Sequence, residues 1–142
     1  MKDFERVKIK LLIMLCLFTG KVALAQEIDI SGTWTMFEMI WSSGADNDKT
    51  TEDQMHDQGL MTDYYFIPDG NFKFVSNMTG SGNTETAEGT WKLDGDKLTI
   101  SLKMGEDLRD IIWDFEFKDD VINLKRTSPD GSISVVNSFR RK

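Results

Sequence analysis

The run Arg109-Asp110-Ile111-Ile112-Trp113-Asp114-Phe115-Glu116-Phe117 puts apolar side chains at every second residue, with carboxylates between most of them. In an extended chain Ile111, Trp113, Phe115 and Phe117 fall on one face, and Asp110, Asp114 and Glu116 on the other. That is the pattern of an antiparallel strand with one face buried and one in water. No segment from Trp34 onward shows a sustained helical period, and short apolar runs recur between Gly, Asp, Asn and Pro. Eight candidate strands follow: residues 32–41, 62–67, 71–77, 84–93, 96–102, 109–117, 121–126 and 132–140.

The same alternation turns Phe72, Phe74, Trp91, Leu93, Leu98, Ile100, Ile122, Leu124, Ile133, Val135 and Phe139 inward. Strands with one apolar face each, and no helix to cover them, must close into a barrel or pack against a partner sheet. The connections favour closure. Pro68-Asp69-Gly70, Asp94-Gly95 and Lys118-Asp119-Asp120 are tight links that share one end in an up-and-down order, and Asp-Gly suits the positive φ of such turns. Residues 42–61, 78–83, 103–108 and 127–131 make longer links at the other end. The expected fold is all-β: a single eight-stranded up-and-down antiparallel barrel, closed at its base and open at its mouth, with a long loop between the first two strands. Residues 48–59 of that loop suit a short helix with Asp48 as N-cap and Gly59 as terminator. A loop of this length serves as a lid or stays disordered.

Residues 1–25 have a different character. A basic head (Lys2, Arg6, Lys8, Lys10), an apolar run from Leu11 to Phe18 and the small-residue site Ala23-Leu24-Ala25 form the layout of a secretory signal peptide. The apolar run is about half of the roughly 20 residues a membrane-spanning helix needs. The expected domain is therefore residues 26–142, exported to the periplasm or beyond, with no integral membrane segment once the leader is removed.

The whole chain carries 17 basic and 24 acidic residues, a net charge of -7. The leader takes five basic and two acidic residues, which leaves -10 on the remaining 117. So acidic a domain does not suit nucleic acid, whose phosphates require a basic face. Cys16, the only cysteine, lies in the leader, so the domain has no disulfide, thiolate nucleophile or cysteine ligand. Asp46-Asn47-Asp48 begins like a calcium loop, but Thr51 stands where an EF-hand needs its glycine. His56, the only histidine, sits in the acidic stretch Glu52-Asp53-Gln54-Met55-His56-Asp57, an unsuitable setting for a nucleophile–histidine–acid triad. No metal, no cofactor and no enzymatic activity are expected.

Ile30-Ser31-Gly32-Thr33-Trp34, opening the first strand, resembles the Gly-x-Trp motif of lipocalins, and residues 26–142 as a whole resemble the compact lipocalin-like domains of exported bacterial proteins. Phe66-x-x-Asp69-Gly70-x-Phe72 and the run from Gly89 to Leu98 are similar to the same family's internal pattern. The resemblance implies that Gly32, Trp34 and a basic residue at the end of the last strand close the base. Arg140 and Arg141 are both in reach of Trp34 for a cation–π contact, and Arg141 has the inward phase. One departure is that no helix follows the last strand, as one does in a typical lipocalin.

Strand direction brings Trp41, Tyr64, Met78, Met104, Arg109 and Arg126 to the mouth. Arg126 keeps the inward phase of Ile122 and Leu124, so it either anchors an anionic head group or pairs with a loop carboxylate such as Glu106 or Asp107. Glu38 and Asn137 also fall on the inward phase, unless a bulge turns them or a polar contact satisfies them. The expected function is binding of a small apolar or amphipathic molecule at the open end, with Trp41, Tyr64, Trp113 and Arg126 as contacts. The alternative is an envelope-associated interaction module with a filled core, docking an unknown protein partner through its acidic loops or an outer apolar side formed by Phe37, Met39 and Trp41.

Overall fold

A computed structural model of the chain describes residues 27–79 and 81–142. The leader expected over residues 1–25 lies outside the described residues. The strands are β1 (Gly32–Ser43), β2 (Asp46–Thr50), β3 (Thr62–Phe66), β4 (Asn71–Ser76), β5 (Glu85–Asp94), β6 (Lys97–Met104), β7 (Asp107–Lys118), β8 (Val121–Thr127) and β9 (Ile133–Arg141), with one helix, α1 (Glu52–Asp57), before β3. All pairings are antiparallel. Strands β1 and β3 to β9 follow one another round the sheet, and β1 pairs back onto β9 to close it. The eight expected strands are therefore the barrel, and β2 is an addition.

Strand β1 meets three partners. Along one edge it pairs with β9 over its length, from Trp34↔Arg141 to Ser43↔Ile133. Along the other it pairs with β3 through Gly32–Thr35 and, higher up, with β2 through Met39–Ser43. The polar segment Asp46–Thr50 has no apolar alternation to announce a strand. It becomes one because the turn at Gly44 and Ala45 lays it beside β1, where Lys49 also bonds Glu38 at 2.6 Å.

Helix α1 lies against β1. Its N-cap is Thr51, not Asp48: Thr51 and Gln54 form a capping box in which each side chain accepts from the other's backbone N–H. Asp48 is unavailable because it pairs with Trp41 in the β1–β2 ladder. The Leu60 and Gly59 N–H groups bond to the Met55 and His56 carbonyls and end the helix, while Met55, 3% exposed, enters the core. The expected loop is thus an ordered side wall, a hairpin followed by a helix. The link between β6 and β7 is also shorter than expected, a tight turn at Gly105 and Glu106.

The ladder between β1 and β9 slips by one residue between Met36 and Glu38. This β-bulge at Phe37 reverses the facing of everything above it. Met36 points inward, and beyond the bulge Met39 and Trp41 do so, while Glu38 faces outward toward Lys49.

The base is sealed where β1 begins. The Arg141 guanidinium lies 4.6 Å from the Trp34 ring centroid and donates to the Ser31 carbonyl at 2.6 Å, while the Trp34 indole donates to the Ile30 carbonyl at 2.8 Å. Gly32 sits at φ 126, and a Cβ there would meet Arg141 Nη1 at 2.8 Å. Arg140 points the other way, to Glu52 and over Phe37 outside the barrel. The two arginines should therefore separate on truncation. Arg141→Ala should cost about 1–2 kcal/mol, and Arg140→Ala, with exposed partners, less than about 1 kcal/mol, in urea unfolding.

Gly89 pairs with both Phe72 of β4 and Leu102 of β6 at the corner where β5 changes partners. A Cβ there would stand 1.8 Å from the Ser101 carbonyl oxygen, a backbone atom that cannot retreat without breaking the ladder. Gly89→Ala should destabilise the barrel by about 3 kcal/mol or prevent folding, read by urea denaturation.

Candidate functional site

The interior changes character with height. At the base Trp34, Phe66, Leu98, Ile122, Leu124 and Phe139 are each at most 2% exposed. Tyr64 meets Phe66, Phe72, Phe74 and Phe139 with ring centroids 4.5–6.3 Å apart. Above them Met39, Ile111, Val135 and Asn137 are only half-buried, although each lies on the inner phase of its strand. An inward side chain keeps contact with water only where the space in front of it is open. The barrel is therefore a plugged base beneath an open cup.

One row across three strands forms the wall of that cup. Trp41 pairs with Val135, and Val135 with Arg126, all on the inner phase. With Ile133 and residues Thr127, Ser128 and Pro129 they enclose a hollow of about 350 Å³. Trp41 is 50% exposed and Ile133 40%, so the hollow offers apolar surface to solvent. Arg126 is exposed beside it and forms no ion pair among the described residues, with Glu106, Asp107 or any other carboxylate. A guanidinium next to an indole and two branched aliphatic side chains can hold a carboxylate or similar anion at the head of an apolar body. Two further hollows, of about 360 and 380 Å³, lie along the outer wall. The first is lined mainly by polar and charged groups, Asp110, Asp114, Lys125 and Thr127, and Arg126 borders it as well; the second sets Glu38, Glu116 and Asn123 beside the apolar Ile40, Phe115 and Val136.

Two expected contacts lie elsewhere. Tyr64 is in the aromatic plug, not at the rim, because β2 occupies the upper edge of β1 and β3 can begin only opposite Thr35. Trp113, paired with Leu98 and 8% exposed, is buried and does not line the hollow, although it stands one residue beyond the Asp114–Lys125 pair, in the direction of Arg126. The outer apolar side of Phe37, Met39 and Trp41 does not exist as one surface: the bulge leaves Phe37 outside and turns Met39 and Trp41 in. His56 projects from α1 with its side chain 90% exposed.

The rim is held by a carboxylate. Asp130 accepts from the hydroxyls of Ser128 and Ser132 and from the Ser132 N–H. The Ser128 hydroxyl, followed by the two Ser132 donors, lowers the Asp130 pKa to about 2.

A closed up-and-down barrel of eight strands, plugged below and cupped above, defines the class of this protein. The family described as the lipocalin-like domain matches over residues 30–124, and the chain belongs to it. The structure is similar to that of a lipocalin-like protein from Bacteroides uniformis, with a TM-score of 0.51 and 16% identity over 81% of this chain and 100% of that one. It is also similar to an uncharacterized protein from Bacteroides eggerthii, with a TM-score of 0.49 and 19% identity over 80% of this chain and 100% of that one. A variant of the fluorescent protein UnaG has a TM-score of 0.42 and 14% identity, over 79% of this chain and 95% of that one. At such identities the likeness concerns the fold alone. Comparison with curated proteins finds no match.

Burial pushes the Tyr64 phenol up to about 12. A proton held more tightly in the folded state makes stability fall as pH rises from about 10, the ordinary phenol value, through 12. In a Tyr65→Phe background the phenolate absorbance should rise with a midpoint near 12. Asp130 has the opposite sign: its contribution is present above about pH 4 and lost as pH falls through 2. The amide resonances of residues 128–132 should therefore keep their positions to about pH 3 and shift near 2.

Proposed function

We propose that this protein is an exported, non-catalytic carrier of a small amphipathic molecule, held at the open end with its anionic head on Arg126 and its apolar body against Trp41, Val135 and Ile133. The observation that carries the reading is the inner row Trp41–Val135–Arg126: a large indole left half in water beside an arginine without an ion pair among the described residues. An indole of that size is normally covered in a folded domain, and a neighbouring guanidinium makes the surface selective for anions. Membership of the lipocalin-like domain family is in keeping with it. The signal-peptide layout of residues 1–25 supports export to the periplasm or the medium. Among the described residues no helix is long and apolar enough to cross a membrane.

Of the four tryptophans, Trp34 and Trp113 are at most 8% exposed, and Trp41 is the one that lines the hollow. Titration of residues 26–142 with dodecanoate should therefore give a saturable blue shift that Trp41→Phe removes. Arg126→Ala should weaken binding about tenfold, the value of one charge-assisted contact. A linear, non-saturating response in the unsubstituted protein is the outcome against the reading.

A further inference from the structure

Strand β7 is longer than the strand that covers it. Residues 114–118 pair with β8, whereas residues 107–113 pair with β6 alone. Strand β8 stops at Thr127 and the chain returns as β9, so nothing lies along the upper part of that edge. The ladder fixes the direction of the free backbone groups. The Phe115 N–H bonds to the Asp96 carbonyl on the β6 side at 2.7 Å, and successive residues of a strand turn their N–H and C=O groups to opposite sides. Trp113, Ile111 and Arg109 therefore bond to β6. Ile112, Asp110 and Leu108 present theirs to the open side, where their backbone has no hydrogen bond among the described residues.

The side chains along this edge are unlike those of a guarded one. Strand β2 pairs only with β1, and it carries Asp46, Asn47, Asp48, Lys49 and Thr50 without one apolar residue, the usual protection of an open edge. On β7, Leu108 is 69% exposed and Ile112 57%, the two most exposed large apolar side chains among the described residues. Both lie on the outer phase, with Asp110 between them. At the lower end of the edge, the hollow of about 360 Å³ opens between Asp110, Ile112 and Asp114 on one strand and Lys125, Arg126 and Thr127 on the other. A sheet edge with unbonded backbone groups beside exposed apolar side chains is a template for an added strand.

Charge says which strand the edge would accept. Asp110 stands between the two apolar side chains, its carboxylate held by the Ser101 hydroxyl at 2.5 Å, in a strongly acidic domain. A second copy fits poorly. About a two-fold axis, the β7–β7 registers centred on Arg109, Asp110 and Ile111 oppose, in turn, Arg109 to itself, Asp110 to itself, and Asp110 to Ile112. A strand with a cation opposite Asp110 and apolar side chains opposite Leu108 and Ile112 meets no such conflict. We propose that the open edge of β7 docks, by antiparallel strand addition, an extended segment of a partner protein with the pattern apolar–x–basic–x–apolar. Leu108, Asp110 and Ile112 bond its backbone, Asp110 takes its basic side chain, and the hollow beside Ile112 takes the apolar side chain at the lower end. The inference does not depend on the cup holding a ligand.

The test titrates residues 26–142 into the fluorescently labelled peptide Thr-Val-Thr-Lys-Thr-Val-Thr, capped at both ends, and reads anisotropy and amide hydrogen exchange. The peptide should bind saturably and slow exchange at Leu108, Asp110 and Ile112, while Arg109 and Ile111, already bonded to β6, stay unchanged. Replacing its lysine with glutamate should weaken binding about five- to tenfold, and Asp110→Lys should reverse that order. Methylating the backbone nitrogen of the lysine should abolish binding, because the side-chain charge remains and the strand hydrogen bond is lost. Equal binding of the methylated peptide would overturn the inference by reducing the contact to charge. So would a preference for lysine over glutamate that survives Asp110→Lys, protection confined to other residues, or a response that never saturates. A dimer in sedimentation that Ile112→Lys dissociates would overturn it as well, by assigning the edge to a second copy.

Discussion

Barrel closure rests on the ladder between β1 and β9, and the shape of the cup rests on the one irregularity in that ladder. Side chains on a strand alternate with a period of two, so one inserted residue exchanges the faces of all that follow. Below Phe37 the β1 ladder puts Trp34 and Met36 into the base. Above it the same strand puts Met39 and Trp41 inward and Glu38 outward to Lys49. A regular strand would have buried a carboxylate at the level of Met39 and left the Trp41 indole on the outer wall. The bulge removes both difficulties and places the indole beside Arg126.

The two ends of the barrel serve different physical needs. The base consists of interlocked rings and branched aliphatic side chains, with Arg141 lying over Trp34 where the strand pairing ends. Such a plug supplies the hydrophobic stabilisation of a domain whose described residues contain no cysteine. The mouth is built differently. β1 and β2 rise beyond β3 on one side, and β6 and β7 rise beyond β8 on the other, since β7 pairs with β8 only from Asp114 onward. The projecting strands keep their backbone bonds on the paired side but have few neighbours to cover their inner side chains. Trp41 and Val135 are left facing the hollow, with Arg126 at its edge. Close packing is concentrated at the base, and exposed apolar side chains at the mouth.

Much of this was legible in the residues. Each of the eight barrel strands lies within two residues of the alternation seen in the sequence, because amphipathic strands announce themselves by their period. That a terminal arginine lies over Trp34 came from the resemblance to lipocalins, and the inward phase favoured Arg141 over Arg140. The polar β2 carried no such signal, since neither of its faces is covered and a ladder needs only backbone groups. The start of α1 did carry one: Thr51-x-x-Gln54 is a capping box written in the sequence, and it outweighs Asp48 because it satisfies two backbone donors at once. Of the expected contacts, Trp41 and Arg126 meet across Val135, whereas Tyr64 and Trp113 are buried and do not line the hollow. Their burial depends on the neighbouring strands, which phase alone does not reveal.

The sequence by itself determined the all-β class, the eight barrel strands, the tight turns of the base and the acidic character of the domain. These follow from local patterns of period two, turn chemistry and charge, which need no knowledge of distant partners. Only the tertiary structure decided that β1 bulges at Phe37, that β2 takes the upper edge of β1 from β3, and that Asn137 keeps a buried side-chain oxygen without a partner among the described residues. Each of these is a matter of register between segments far apart in the chain. A shift of one residue in register turns an outer wall into an inner one while leaving every local preference unchanged.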